Sequence, residues 1–134
     1  MSNVDLKGLA RKPKGFTLIE VLVVLAIIAT LLSLVAPRYF DSINRAKETT
    51  LKHDLITMRR AIDQFYSDKN AYPDSLEEIV QQKYLRELPQ DPITESKLTW
   101  LFTAPPDLES KGNIYDVHSG SPEIATDGTP YATW

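Results

Sequence analysis

Residues 16–36 read FTLIEVLVVLAIIATLLSLVA, an apolar run interrupted only by Thr17, Glu20, Thr30 and Ser33. As a helix rising about 1.5 Å per residue this run is about 31 Å long, close to the hydrocarbon thickness of a bilayer. Its length predicts a membrane span rather than a buried core helix. Upstream lie Lys7, Arg11, Lys12 and Lys14, with Asp5 the only acid, so residues 1–15 carry +3. The whole chain carries −3, which leaves −6 on residues 16–134. By the positive-inside bias the basic flank stays in the cytoplasm and the C-terminal part lies across the membrane.

Outside that run the 134-residue chain has room for one modest domain. It contains no cysteine, which excludes a disulfide scaffold, a thiolate nucleophile and Cys-ligated metal. The acidic balance argues against a nucleic-acid binder, with Arg59-Arg60 as one local basic patch. A secretory signal peptide would have a shorter apolar core and a small-residue cleavage site beyond it. A plain signal-anchor shares the same hydropathy, and Glu20 is the residue that separates the readings. A carboxylate inside a membrane segment costs about 2.5–3.5 kcal/mol on insertion scales and marks a functional site. It calls for a cation, and residues 16–36 contain no Lys or Arg.

Lys14-Gly15-Phe16-Thr17-Leu18-Ile19-Glu20 resembles the class III signal of type IV pilins and pseudopilins. The resemblance implies cleavage between Gly15 and Phe16 by a prepilin peptidase, followed by N-methylation of Phe16. It implies that Glu20 meets the freed amine of Phe16 on a neighbouring subunit, with Thr17 and Pro37 also serving assembly. Pro37 lies just past the span, where such helices commonly carry a proline.

Beyond Pro37 the pattern becomes amphipathic. Leu51, Leu55, Met58, Ile62 and Phe65 make one apolar stripe at helical spacing, extended upstream by Ile43 and Ala46. Asp41 with Arg45 and Glu48 with Lys52 read as i,i+4 pairs on a solvated face. Residues 16 to about 68 are thus expected to form one helix, loosened or kinked at Pro37. Asp74 or Ser75 is placed to cap a short helix from Leu76 to about Lys83. Residues 84–97 read as irregular. Leu98–Phe102 and Ile114–His118 read as strands joined through a turn at Lys111-Gly112-Asn113. Tyr131 and Trp134 must pack somewhere.

The expected fold class is α+β: a long N-terminal helix, membrane-spanning in its first half, packed on a small antiparallel sheet in the pilin manner. The expected organisation is a leader over 1–15, a membrane or filament-core helix over 16–36, its amphipathic continuation over 37–68 and a small domain over 69–134. The chain is similar to the G-type major pseudopilins of type II secretion at YPDSLEEIV (72–80), LPQDP (88–92) and YDVHS (115–119).

That resemblance implies a homopolymer in a periplasmic filament that drives protein export. Its partners would be prepilin peptidase, minor pseudopilins and an inner-membrane assembly platform, with no nucleic acid. The subunit would be single-pass in the bacterial inner membrane, its N-terminus cytoplasmic and its C-terminal domain periplasmic. A type IV pilus or DNA-uptake filament is the alternative within the family; a membrane-anchored periplasmic binding domain is the alternative outside it.

G-type subunits also carry a long acidic C-terminal loop that binds calcium. Here the stretch between His118 and Asp127 is short, with Glu123 its one acid, and Asp91-Pro92 is followed by Ile-Thr-Glu-Ser-Lys rather than the family's Trp-Gly-x-Pro-Tyr. Asp116, Ser119 and Asp127 are the candidates for a reduced calcium site. The chain's two histidines, His53 and His118, lack partners at metal-ligand spacing, and no nucleophile–base motif occurs. The chain reads as an enzyme's substrate rather than as an enzyme.

Overall fold

The computed structural model describes residues 15–134. Of the expected leader it covers Gly15 alone; Lys7, Arg11, Lys12 and Lys14 lie outside the described residues. Helix α1 runs Leu18–Lys69 over 52 residues and ends at Asn70, whose φ of 55° is one that asparagine tolerates well. Pro37 lies inside α1, and the helix continues through it. The missing proline amide deprives the Ser33 carbonyl of its usual partner, but no break in the helix follows.

The chain divides into two compact units, one ending at Phe40 and the other spanning Asp41–Trp134, and α1 contributes to both. In the first, every large apolar side chain from Phe16 to Val35 is exposed. The Thr30 hydroxyl donates to the Ala26 carbonyl at 2.8 Å and the Ser33 hydroxyl to the Thr30 carbonyl at 2.7 Å. The helix therefore satisfies these hydroxyls itself, as an apolar surrounding requires.

The second unit is built on the predicted stripe. Leu51, Leu55, Met58, Ile62 and Phe65 are all buried, joined by Ala61. Upstream the expectation fails in part: Ile43 is half-buried and Ala46 exposed, while Glu48 is buried. Glu48 lies three residues before Leu51 and seven before Leu55, so the helical period itself carries its carboxylate to the inner face.

Helix α2, Leu76–Gln81, is capped by Ser75, whose hydroxyl accepts from the Glu78 amide at 3.2 Å. The Glu78 carboxylate in turn accepts from the Asp74 amide at 2.8 Å. The helix stops two residues before the expected Lys83. There the Tyr84 amide reaches the Ile79 carbonyl, the Lys83 amide reaches the Val80 carbonyl, and Lys83 adopts φ 66°. This is a Schellman ending with lysine where glycine is usual.

Strands β1, Leu101–Thr103, and β2, Asp116–His118, form one antiparallel pair with Leu101 opposite His118 and Phe102 opposite Val117. Both are shorter than expected because neighbouring groups are engaged elsewhere. The Leu98 amide bonds the Ser96 hydroxyl, and the Ile114 amide donates to the Pro73 carbonyl. Ile79, Trp100, Ile114, Val117, Ala125 and Tyr131 complete the core against α1. Close backbone approach explains two glycines. A Cβ at Gly112 or Gly120 would lie 1.9 or 1.8 Å from the carbonyl oxygen of Tyr72 or Thr99. The fold is the expected α+β, pilin-like arrangement.

Candidate functional site

At the N-terminal end of α1, Thr17 and Glu20 cap the helix reciprocally. The Glu20 amide donates to Thr17 Oγ1 at 3.1 Å, and the Thr17 amide donates to Glu20 Oε2 at 3.3 Å. This is a capping box, T-x-x-E, legible in the sequence from its spacing alone. Glu20 thus has a local partner in the isolated chain, one that places its carboxylate beside the first exposed amides of the helix. Phe16 and Gly15 are exposed next to it. Among the described residues a Cβ on Gly15 would meet nothing within 4 Å, so no contact there requires this glycine.

Of the two expected i,i+4 pairs on α1, neither forms. Asp41 and Arg45 make no ion pair within 4 Å. Glu48 does not face Lys52. Its Oε1 accepts from the Thr126 amide at 2.8 Å and the Tyr131 hydroxyl at 2.8 Å, and its Oε2 from the Thr126 hydroxyl at 2.9 Å. Burial pushes the Glu48 carboxyl up, but the Thr126 amide and the Tyr131 and Thr126 hydroxyls outweigh it and hold the group below its ordinary value. Tyr131 moves the other way, to about 12, through burial and its bond to this carboxylate. Lys52 lies instead over the Trp134 ring, 4.7 Å from its centre.

Arg59 is likewise engaged by the domain, its side chain 34% exposed. Its Nε donates to Asp116 Oδ1 at 2.7 Å, and its Nη2 to the carbonyls of Val117 at 2.9 Å and Trp134 at 2.6 Å. His118 Nδ1 lies 2.6 Å from the same Trp134 carbonyl and its Nε2 3.5 Å from Asp116 Oδ2. Asp91, fully buried, accepts from the Ile93 and Thr94 amides and from the Ser119 hydroxyl at 2.6 Å. Asp91 closes the 91–96 turn and ties it to the segment after β2. The sequence signal for it was the Asx-turn position ahead of Pro92.

These bonds decide how the calcium candidates fit. Asp116 faces a guanidinium where a cation would have to sit. Ser119 donates to Asp91 and accepts from the Ser121 amide. Asp127 Oδ1 accepts from the amide and hydroxyl of Thr129, which hold its carboxyl below the usual range. Each is committed to a different protein partner, and among the described residues no group of three or more His, Asp or Glu is placed to hold a metal ion. The donor set does not fit calcium.

An exposed apolar helix with a capped carboxylate at its start, continuing into a small α+β domain, defines a pilin-like chain. Residues 10–36 match the family model of the prokaryotic N-terminal methylation motif. The chain is 35% identical to type II secretion system core protein G of Pseudomonas aeruginosa, over 61% of this chain and 69% of that protein. It is 32% identical to the Aeromonas hydrophila protein of the same name, over 61% and 68%, and 31% identical to that of Escherichia coli, over 60% and 67%. No solved structure matches. The chain belongs to the type II secretion system core protein G family, the major pseudopilins.

Proposed function

We propose that the chain is made with a leader over 1–15, cut by a prepilin peptidase between Gly15 and Phe16, and N-methylated on Phe16. It then acts as a structural filament subunit, without catalysis of its own. Residues 16–36 cross the bacterial inner membrane with the basic leader in the cytoplasm and residues 69–134 in the periplasm. Copies leave the bilayer by packing this apolar segment among themselves, with minor pseudopilins and a membrane platform as partners. Glu20 exchanges its bond to the Thr17 amide for the methylated amine of a neighbour's Phe16, fixing register. Thr17 presents the carboxylate, and Pro37 marks the end of the embedded part.

The observation that carries this reading is the conjunction of the Gly15-Phe16-Thr17-Leu18-Ile19-Glu20 order with a helix whose apolar side chains are exposed from Phe16 to Val35. An apolar surface of this extent requires lipid or identical neighbours. A glycine that no contact among the described residues demands is suited to recognition by a peptidase.

Intact mass with N-terminal fragmentation of protein from its native membrane tests the reading. The expected chain begins at Phe16 and carries one added methyl, and Glu20→Ala is processed alike but forms no filament. A chain retaining residues 1–15 in a peptidase-competent cell, or normal filaments from Glu20→Ala, contradicts it.

A further inference from the structure

The G-type resemblance implies a calcium-binding C-terminal loop, yet the candidate ligands here are bound to other groups. We propose that the Glu48 carboxylate takes the place of that cation in this chain: it gathers the C-terminal segment onto α1, so the domain folds without a divalent metal.

The chemistry of the segment favours this exchange. A cation joins chain segments by collecting anionic oxygens, whereas a carboxylate joins them by collecting N–H and O–H donors. Between His118 and Asp127 the segment has one acid, Glu123, and residues 126 and 131 bring three donors to one point. Those donors are the Thr126 amide, the Thr126 hydroxyl and the Tyr131 hydroxyl, all within 2.9 Å of Glu48 oxygens. Glu48 is 8% exposed and Tyr131 5%, so loss of the carboxylate would leave a hydroxyl buried without its partner.

The rest of the segment closes on itself. The Ala125 amide bonds the Thr129 carbonyl at 2.7 Å, the Gly128 amide bonds the Ala125 carbonyl at 3.0 Å, and Gly128 supplies the positive φ of 88°. Farther along, Arg59 holds the Trp134 carbonyl and Lys52 covers its ring. The segment is therefore attached to α1 at Glu48, Lys52 and Arg59, and no step of that attachment calls for a metal.

The test is thermal unfolding of the purified full chain in detergent, followed by tryptophan fluorescence, with added calcium and with EDTA. The proteins are wild type, Glu48→Gln, Glu48→Ala and Tyr131→Phe. Wild type is expected to melt at one temperature under both conditions. Glu48→Ala is expected to fall by about 5 °C or more, with Tyr131→Phe falling less. Glu48→Gln, which keeps one acceptor oxygen, should lie between wild type and Glu48→Ala. A wild-type Tm lowered by EDTA and restored by calcium overturns the proposal, as does a Glu48→Ala protein that melts with wild type. If Glu48→Ala does not fold, the wild-type comparison and Tyr131→Phe decide, and a Tyr131→Phe Tm equal to wild type overturns it. Processing at Gly15 is measured separately, so failure here leaves the filament reading standing.

Discussion

Glu48 and Tyr131 share one hydrogen bond, and each pulls the other's titration in the opposite direction. The folded-state pKa of Glu48 lies below its ordinary 4.5, so its contribution to stability is present above that value and is lost as pH falls through the folded one. Asp127, held down by Thr129, adds to the same acid limb, while Asp54, raised by burial and by Asp91, opposes it. Tyr131 is raised from 10.0 to about 12, so its contribution is complete below pH 10 and is lost as pH rises towards 12. Chemical denaturation across pH should therefore show a plateau with two falling limbs. Glu48→Gln should flatten the acid limb and Tyr131→Phe the alkaline one; equal slopes in wild type and variants would remove the pair from the account.

At the level of elements, α1 is one helix with two kinds of surroundings. Leu55, buried against the domain, and Leu22, wholly outside it, have the same side chain and different energetics. Leu55→Ala should cost about 2–5 kcal/mol of domain stability. Leu22→Ala should leave the domain's denaturation midpoint unchanged, because Leu22 is exposed and belongs to the other compact unit.

The same element shows what the sequence revealed and what it hid. The stripe from Leu51 to Phe65 was legible because apolar residues at helical period have one plausible use. Glu48 lies on that stripe, but an acid four residues from Lys52 has the spacing of a surface pair, and its helical position rather than its charge decides where it goes. Arg59 was hidden for a different reason: its partners, Asp116, Val117 and Trp134, lie 57 to 75 residues away. Local pattern holds no information about such long-range bonds. The expected strands are longer than the observed ones, since β-rich composition marks where a ladder can form, while the Ser96 hydroxyl and the Pro73 carbonyl take amides at its margins. The Thr17–Glu20 capping box is the reverse case, a local motif whose T-x-x-E spacing is legible even though Glu20 also stands out as a membrane charge.

For the whole molecule, the division after Phe40 separates a lipid-compatible part from a self-contained one. Every buried residue named in the core lies between Leu51 and Tyr131. A fragment of Asp41–Trp134 should therefore fold cooperatively and stay monomeric in water, while the full chain should partition into detergent. Sedimentation of the two, together with an unfolding transition for the fragment, checks this; an aggregated or non-cooperative fragment would mean that residues before Asp41 supply part of the fold.

The exposed apolar face from Phe16 to Val35 also bears on reversibility. Lipid tails and a sheath of leucine, valine and isoleucine are almost equally oily, so exchanging one for the other yields little net hydrophobic free energy. A subunit carrying such a segment sits near equilibrium between dissolved and stacked states. Growth and shortening of a stack then need only a modest bias from outside, and the direction of travel belongs to whatever engine supplies it.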